Sequence, residues 1–311
     1  MEFAVELQNV TRRFKKMTAV DNLSFSVQSG EVFGLLGPNG AGKTTTINLI
    51  IGMLRRDEGN ILVQGFDPQT QAQQVRRSIG LVPQETNVYG DLNPVDNLWH
   101  HAALYCDDLS DIPARIEELL RLMELWERRK DPVRTFSGGM KRRLALARAM
   151  LHEPKIILFD EPTTGVDVHG RHTLWEHIKD LQSQGITFLI SSNDMSEVDA
   201  LCDRLVIIDH GKAITLDTPE ALKATLQHDI VSVQTDTAVA NPEELFAGLG
   251  VIEISSPEPE SLRLVVKNAE AHIGEFVERL NNKYYRIQSL RIARPTLDDV
   301  FLHHTGRALR E

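Results

Sequence analysis

The sequence predicts an α/β fold on a mostly parallel sheet, followed by a small α+β domain, and three observations predict it. Short, continuous apolar runs alternate with helical patterns as far as about residue 220. One of those runs, Gly34-Leu35-Leu36, ends in a glycine-rich loop that opens a helix near Lys43. After Lys223 the texture changes to a strand–helix–strand–strand–helix–strand order. Apolar runs that do not alternate are buried on both faces, as in parallel strands covered by helices.

Taken in order, further buried strands are expected at 155–159, 187–191 and 205–209, each bounded by helical stretches. Between about 89 and 151 the pattern is mostly helical, which reads as an inserted helical subdomain. The expected domains are therefore 1–223 and 224–311. In the second, strands are expected at 230–235, 251–254, 262–266 and 286–292, with helices at 242–249 and 269–281. That order suggests a small split βαβ domain. The segment "SSPEPES" reads as a turn between its two middle strands. A last helix starts near Thr296, where Asp299 completes a capping pattern.

Composition narrows the function classes. At 311 residues and 41% hydrophobic content, the chain can bury a sizeable core. A net charge of −10 argues against nucleic acid or an anionic membrane as the main partner. The two cysteines, Cys106 and Cys202, stand in no metal or redox spacing, and a reducing, cytosolic setting fits them. No signal-peptide pattern opens the sequence, and no run reaches the ~18 apolar residues of a spanning helix. The expectation is a chain brought to any membrane by another polypeptide.

Three motifs carry chemistry. "GPNGAGKTT" is Gly37, Pro38, Asn39, Gly40, Ala41, Gly42, Lys43, Thr44 and Thr45. It fits the phosphate-loop pattern between a strand and a helix. Its glycines let backbone N–H groups point at phosphate oxygens, and the helix start adds partial positive charge. Lys43 is expected to reach the β- and γ-phosphates, and Thr44 to offer its hydroxyl to Mg²⁺. "KIILFDEP" then brings Asp160 and Glu161 out at a strand's carboxyl end, where open α/β sheets bind ligands. Asp160 suits Mg²⁺ held through water; Glu161 suits a base or orienting group for the attacking water.

The third motif, "TFSGGMKRRLALARAML", places Met140, Leu144, Ala147 and Leu151 on one helical face. Ser137, Gly138 and Gly139 form a small-residue start whose N–H groups can bind an anion. Lys141, Arg142 and Arg143 sit in the first turn, the wrong end of a helix for cations. Either a bound phosphate offsets their repulsion or they form a solvated basic face.

Together these residues resemble the nucleotide-binding subunit of an ATP-binding-cassette (ABC) transporter over about residues 3–223. The resemblance implies a P-loop NTPase core with an antiparallel β subdomain and the helical subdomain, acting on ATP with Mg²⁺. It implies that "SGGMK" contacts the γ-phosphate of ATP held by an opposite ATPase subunit. Gln84 in "IGLVPQE" resembles the glutamine that senses Mg²⁺ and the membrane partner. Asp167 in "TTGVD" resembles a dimer-interface aspartate, and Phe14 sits where the family stacks an aromatic on adenine. A plain core phenylalanine is the competing reading of Phe14. The tail "RPTLDDVFLHHTGRALRE" resembles drug-resistance-type exporter ATPases, whose membrane half is a separate polypeptide. The implied location is the cytoplasmic face of the cell membrane, reached through that permease.

One position departs from the family. In "SSNDMSEVDALCDR", Asn193 occupies the place of a histidine that contacts the γ-phosphate. No histidine occurs from 186 to 208. Adjacent residues on a helix face different ways, so neither His100-His101 nor His303-His304 is expected to hold a metal. Asn193 can donate a hydrogen bond but carries no charge. With Glu161 present, the expectation is a slower ATPase, unless Ser192 or water completes the contacts. Two alternatives stand beside the exporter: a regulatory module with slow or negligible hydrolysis, and a non-transport ABC ATPase.

Overall fold

The computed structural model describes residues 3–305 apart from Lys16, Asp107 and Gln227. The chain divides into two compact units at Pro219/Glu220, a few residues before the expected boundary at Lys223.

The first unit opens with two long strands, β1 (Phe3–Phe14) and β2 (Met17–Gln28). The buried strand β3 (Val32–Leu36) leads to α1 (Lys43–Ile50), then β4 (Glu58–Val63), α2 (Ala72–Ser78) and β5 (Ile79–Val82). Helices α3 (Pro94–Tyr105), α4 (Ile112–Leu122) and α5 (Gly138–Ala149) follow. Strand β6 (Ile156–Asp160), α6 (Val168–Ser183), β7 (Thr187–Ser192), α7 (Met195–Leu201), β8 (Arg204–Asp209) and β9 (Lys212–Asp217) complete it.

Six strands form one sheet in the order β5-β6-β7-β3-β8-β9, parallel except for β9 against β8. Strands β3, β6 and β7 are buried along their whole length, as their unbroken apolar runs require. A second, antiparallel sheet has the order β2-β1-β4. The two sheets share one core, and Phe25 of β2 stacks on Phe33 of β3 with ring centroids 5.3 Å apart. Register places Leu36 opposite Ser192, and Asp160 opposite Ser191. The carboxyl ends of β3, β7 and β6 therefore finish level, and the loops that follow them converge.

In the helical stretch, α4 buries Ile112, Ile116, Leu119 and Leu120, a stripe at helical spacing. Helix α5 differs from the single apolar face expected. It buries Arg142, Leu144, Ala145, Leu146, Ala147 and Ala149 around most of its circumference, and it ends before Leu151.

The second unit takes in α8 (Pro219–Ala224) from Glu220, then β10 (Asp229–Thr235), α9 (Pro242–Leu245), β11 (Val251–Glu258) and β12 (Ser261–Val266). Helix α10 (Ala269–Asn282), β13 (Ile287–Ala293) and α11 (Leu297–Thr305) complete it. Its sheet runs β11-β12-β10-β13 with every neighbour antiparallel, the βαββαβ arrangement. Two boundaries differ from expectation. The first half of "SSPEPES" extends β11, with Pro257 tolerated on an edge strand at a register shift. Helix α9 stops at Leu245 instead of reaching 249. At the start of α11, Thr296 and Asp299 bond reciprocally, Thr296 N to Asp299 Oδ2 at 2.8 Å and Asp299 N to Thr296 Oγ1 at 3.3 Å.

Candidate active site

The loop between β3 and α1 is shaped by its glycines. Gly40 and Gly42 adopt φ of 81° and 106°, the left-handed region that glycine enters without steric cost. A side chain on Gly37 would put its Cβ 2.3 Å from the Ile208 carbonyl oxygen. The loop curls around Lys43, whose Nζ donates to the carbonyls of Gly37 (2.8 Å) and Pro38 (3.1 Å). Burial pulls the Lys43 ammonium below its ordinary pKa, opposed by the nearby Glu161 carboxylate at 3.6 Å. The first-turn N–H groups of α1 have no intrahelical carbonyl, and Thr44 is exposed beside them. A helix start with spare donors, a compressed loop and a buried lysine suits a polyphosphate.

Opposite the loop, Glu161 collects three side chains. Gln84 Nε2 donates to its Oε2 at 2.8 Å, Thr164 Oγ1 at 3.3 Å, and Lys43 faces Oε1. Its backbone sits at φ 49°, a left-handed conformation that strains a residue with a Cβ. Asp160, one step earlier, is buried and accepts from Ser191 Oγ at 2.5 Å. Phosphate loop, strand-end acids and glutamine, remote in sequence, thus meet at one sheet edge.

Asn193 follows directly after β7 and is exposed, with its amide 3.5 Å from Asn39 Oδ1 of the loop. Ser192 is no substitute for the missing charge. Its hydroxyl is buried, donates to Glu197 Oε2 at 2.7 Å and accepts from Asp194 N at 3.0 Å. Glu197 was not singled out in the sequence, because a carboxylate in a helical run reads as surface. It is 1% exposed, also meets Trp175 Nε1 at 3.4 Å, and burial raises its pKa.

Ser137 caps α5 by accepting from Met140 N at 3.2 Å. Gly138 and Gly139 let this turn press on the segment that carries Asp167. A Cβ on Gly138 would lie 2.8 Å from the Gly165 carbonyl, and one on Gly139 3.2 Å from Gly170 Cα. Asp167 is exposed and caps α6 through Gly170 N at 2.9 Å, a bond that lowers its pKa. Phe14 is half-buried, outside the main core, with the Arg12 guanidinium 4.5 Å from its ring centroid.

Arg142 and Arg143, in the basic first turn of α5, correct both sequence readings. Arg142 is 1% exposed and donates to five main-chain carbonyls, so it is neither solvated nor waiting for phosphate. Burial lowers its guanidinium to about 10, which leaves it charged at neutral pH. Arg143 donates to Met123 O and Glu124 Oε2 at 3.0 and 2.8 Å. No periodicity signals these contacts, since their partners come from distant segments.

What converges at this sheet edge is the machinery of a P-loop nucleoside triphosphatase. Comparison with known proteins takes the identification further. The family described as ABC transporter matches residues 20–164, and the "ATP-binding protein DrrA1-3-like, C-terminal domain" family matches residues 218–305. The linearmycin resistance ATP-binding protein LnrL of Bacillus subtilis (strain 168) is 36% identical over 99% of this chain and 100% of its own length. A Nod factor export ATP-binding protein I of Sinorhizobium fredii is 36% identical over 100% of this chain and 88% of its own. A solved ATP-binding subunit of an ABC transporter superposes with a TM-score of 0.64 at 27% identity, covering 71% of this chain and 92% of that one. A dimeric ATP-binding cassette bound to ADP and Pi gives 0.60 at 26%, covering 69% and 98%. This chain belongs to the ABC transporter family, as an ATP-binding and ATP-hydrolysing transporter subunit.

Proposed function

We propose that the chain powers export through a separate transmembrane permease at the cytoplasmic face of the cell membrane. Support comes from the names of its relatives, one a resistance protein and one an exporter component. Among the described residues, no helix is long and apolar enough to cross a membrane. Two ATPase subunits, identical or different, close over two ATP molecules. Each ATP lies between one chain's phosphate loop and the other's Ser137-Gly138-Gly139, with Asp167 at the interface and Phe14 against adenine. Closure moves the permease through the segment from Gln84 into the helical subdomain. The small domain, 224–311, serves as an accessory to this cycle.

Within each site, Gly37 to Thr45 hold the phosphates, and Glu161 orients the water and takes its proton. Thr44, Gln84 and Asp160 supply hard oxygen donors that suit Mg²⁺, which when bound offsets phosphate charge. The observation that carries the reading is Glu161 held between Gln84 at 2.8 Å and Lys43 at 3.6 Å. The same contact places the base beside the lysine that meets the phosphates.

The test is Glu161→Gln. With ATP and Mg²⁺ the variant is expected to bind nucleotide, cease phosphate release and elute as a stable dimer; an ATP-bound monomer, or undiminished hydrolysis, sinks the proposal. A second reading, a slow regulatory switch, is favoured by the exposed, uncharged Asn193 beside a Ser192 already committed to Glu197. Phosphate release by the chain together with its permease separates the two.

A further inference from the structure

We infer that Arg142 is a positioning residue for hydrolysis, a guanidinium on α5 that fixes both the Gln84 loop and the Glu161 strand end through their backbone carbonyls. The inference rests on the ATPase reading above and adds a residue to its machinery.

An arginine side chain has five N–H donors. In Arg142 each meets its own carbonyl: Nε to Pro162 (2.7 Å), Nη1 to Pro83 (2.5 Å) and Gln84 (3.1 Å), Nη2 to Asp160 (3.0 Å) and Glu161 (2.5 Å). The donors are fully used, by main chain from two segments about 77 residues apart in sequence. A merely structural buried cation is ordinarily paired with a carboxylate. This one makes its hydrogen bonds to the carbonyls of the segments that carry Gln84, Asp160 and Glu161.

The arrangement bears on Glu161 in particular. Its left-handed backbone needs support from its surroundings. One side of the residue is held by its own N–H on the Ser191 carbonyl at 3.0 Å, the other by its carbonyl on Arg142. Released from Arg142, the Glu161 peptide is free to relax toward φ < 0, which turns the carboxylate away from Gln84 and Lys43. Because Ser137 caps α5, the helix start proposed to meet the opposite nucleotide is tied to this chain's own base.

Arg148 provides an internal comparison. It lies farther along α5 and donates to the carbonyls of Asn87 (2.8 Å) and Thr86 (3.1 Å), so it touches the Gln84 loop but not the strand end. Lysine offers three donors and glutamine's amide two, which makes a graded series at 142.

The experiment uses the full chain as wild type, Arg142→Lys, Arg142→Gln and Arg148→Lys. Amide hydrogen exchange, ATP-binding stoichiometry and phosphate release per bound ATP are measured on each. In Arg142→Lys, and more so in Arg142→Gln, segments 83–86 and 160–163 are expected to gain exchange together while 37–45 keeps its protection. ATP affinity stays unchanged, and turnover per occupied site falls about tenfold to a hundredfold. Arg148→Lys loosens the 83–88 loop alone. The proposal is overturned by unchanged exchange at 160–163, by exchange rising evenly through the unit, or by unaltered turnover per bound ATP. A wild-type chain that binds ATP without hydrolysing it would refute the ATPase reading, and the exchange pattern would still decide the clamp.

Discussion

At residue 193, one uncharged amide stands where the family resemblance leads one to expect an imidazole, and neither neighbour offers a charge. Asn39 is itself an amide, and Ser192 is bound to Glu197. Replacing a charge-assisted hydrogen bond by a neutral one weakens transition-state stabilisation by about 1–3 kcal/mol. Asn193→His is therefore expected to raise steady-state phosphate release roughly tenfold to a hundredfold with ATP affinity unchanged. An unaltered or lower rate excludes a slow switch at this position. Lys43 and Glu161 were legible in the sequence because their motifs encode backbone demands, glycines for the curl and an apolar strand before the acid. Arg142 was not. A run of three basic residues reads as surface, and only the fold brings the carbonyls of 83–84 and 160–162 to the middle one.

A buried acid helps to hold helix α7, beside the Asp194 cap at its start. Glu197 joins it to the end of β7 through Ser192 and to α6 through Trp175. Burial raises this carboxyl above its ordinary 4.5, so the folded chain holds the proton more tightly than the unfolded chain does. Its contribution to stability is whole below that value and declines as pH rises through the folded pKa. Glu197→Gln keeps the shape and removes the titration. The variant's melting temperature should fall less than the wild type's as pH rises above the carboxyl's ordinary 4.5; parallel slopes would rule this out. Among the elements, the parallel strands β3, β6, β7 and β8 were legible to within a residue or two, because strands buried on both faces are continuous apolar runs, whereas the short β5 was not expected. The antiparallel sheet β2-β1-β4 followed only from the family resemblance, since its strands mix exposed and buried positions irregularly. The longer β11 was hidden by Pro257, which an edge strand can accommodate.

Each unit has a core of its own, which makes the molecule two folding problems. Phe276 of the second unit is fully buried, its ring 5.1 Å from that of Phe246, in a cluster distinct from the core under the phosphate loop. Phe276→Ala should destabilise that unit by about 3–5 kcal/mol and leave ATP affinity unchanged. In calorimetry, ATP with Mg²⁺ should raise only the transition of the first unit, by about 2.7 kcal/mol at a hundredfold excess over Kd. A single transition moved by both the substitution and ATP would contradict the separation.

The base of the phosphate loop allows one last deduction. Gly37 donates its N–H to the Ser192 carbonyl at 3.3 Å, while the absence of a Cβ lets it lie against the Ile208 carbonyl. The loop thus rises from a bearing clasped by the two strands flanking its own. With its foot held from both sides, the loop is expected to relay a nucleotide's arrival and departure sideways, through Glu161, Gln84 and residue 193, rather than by recoil along the sheet.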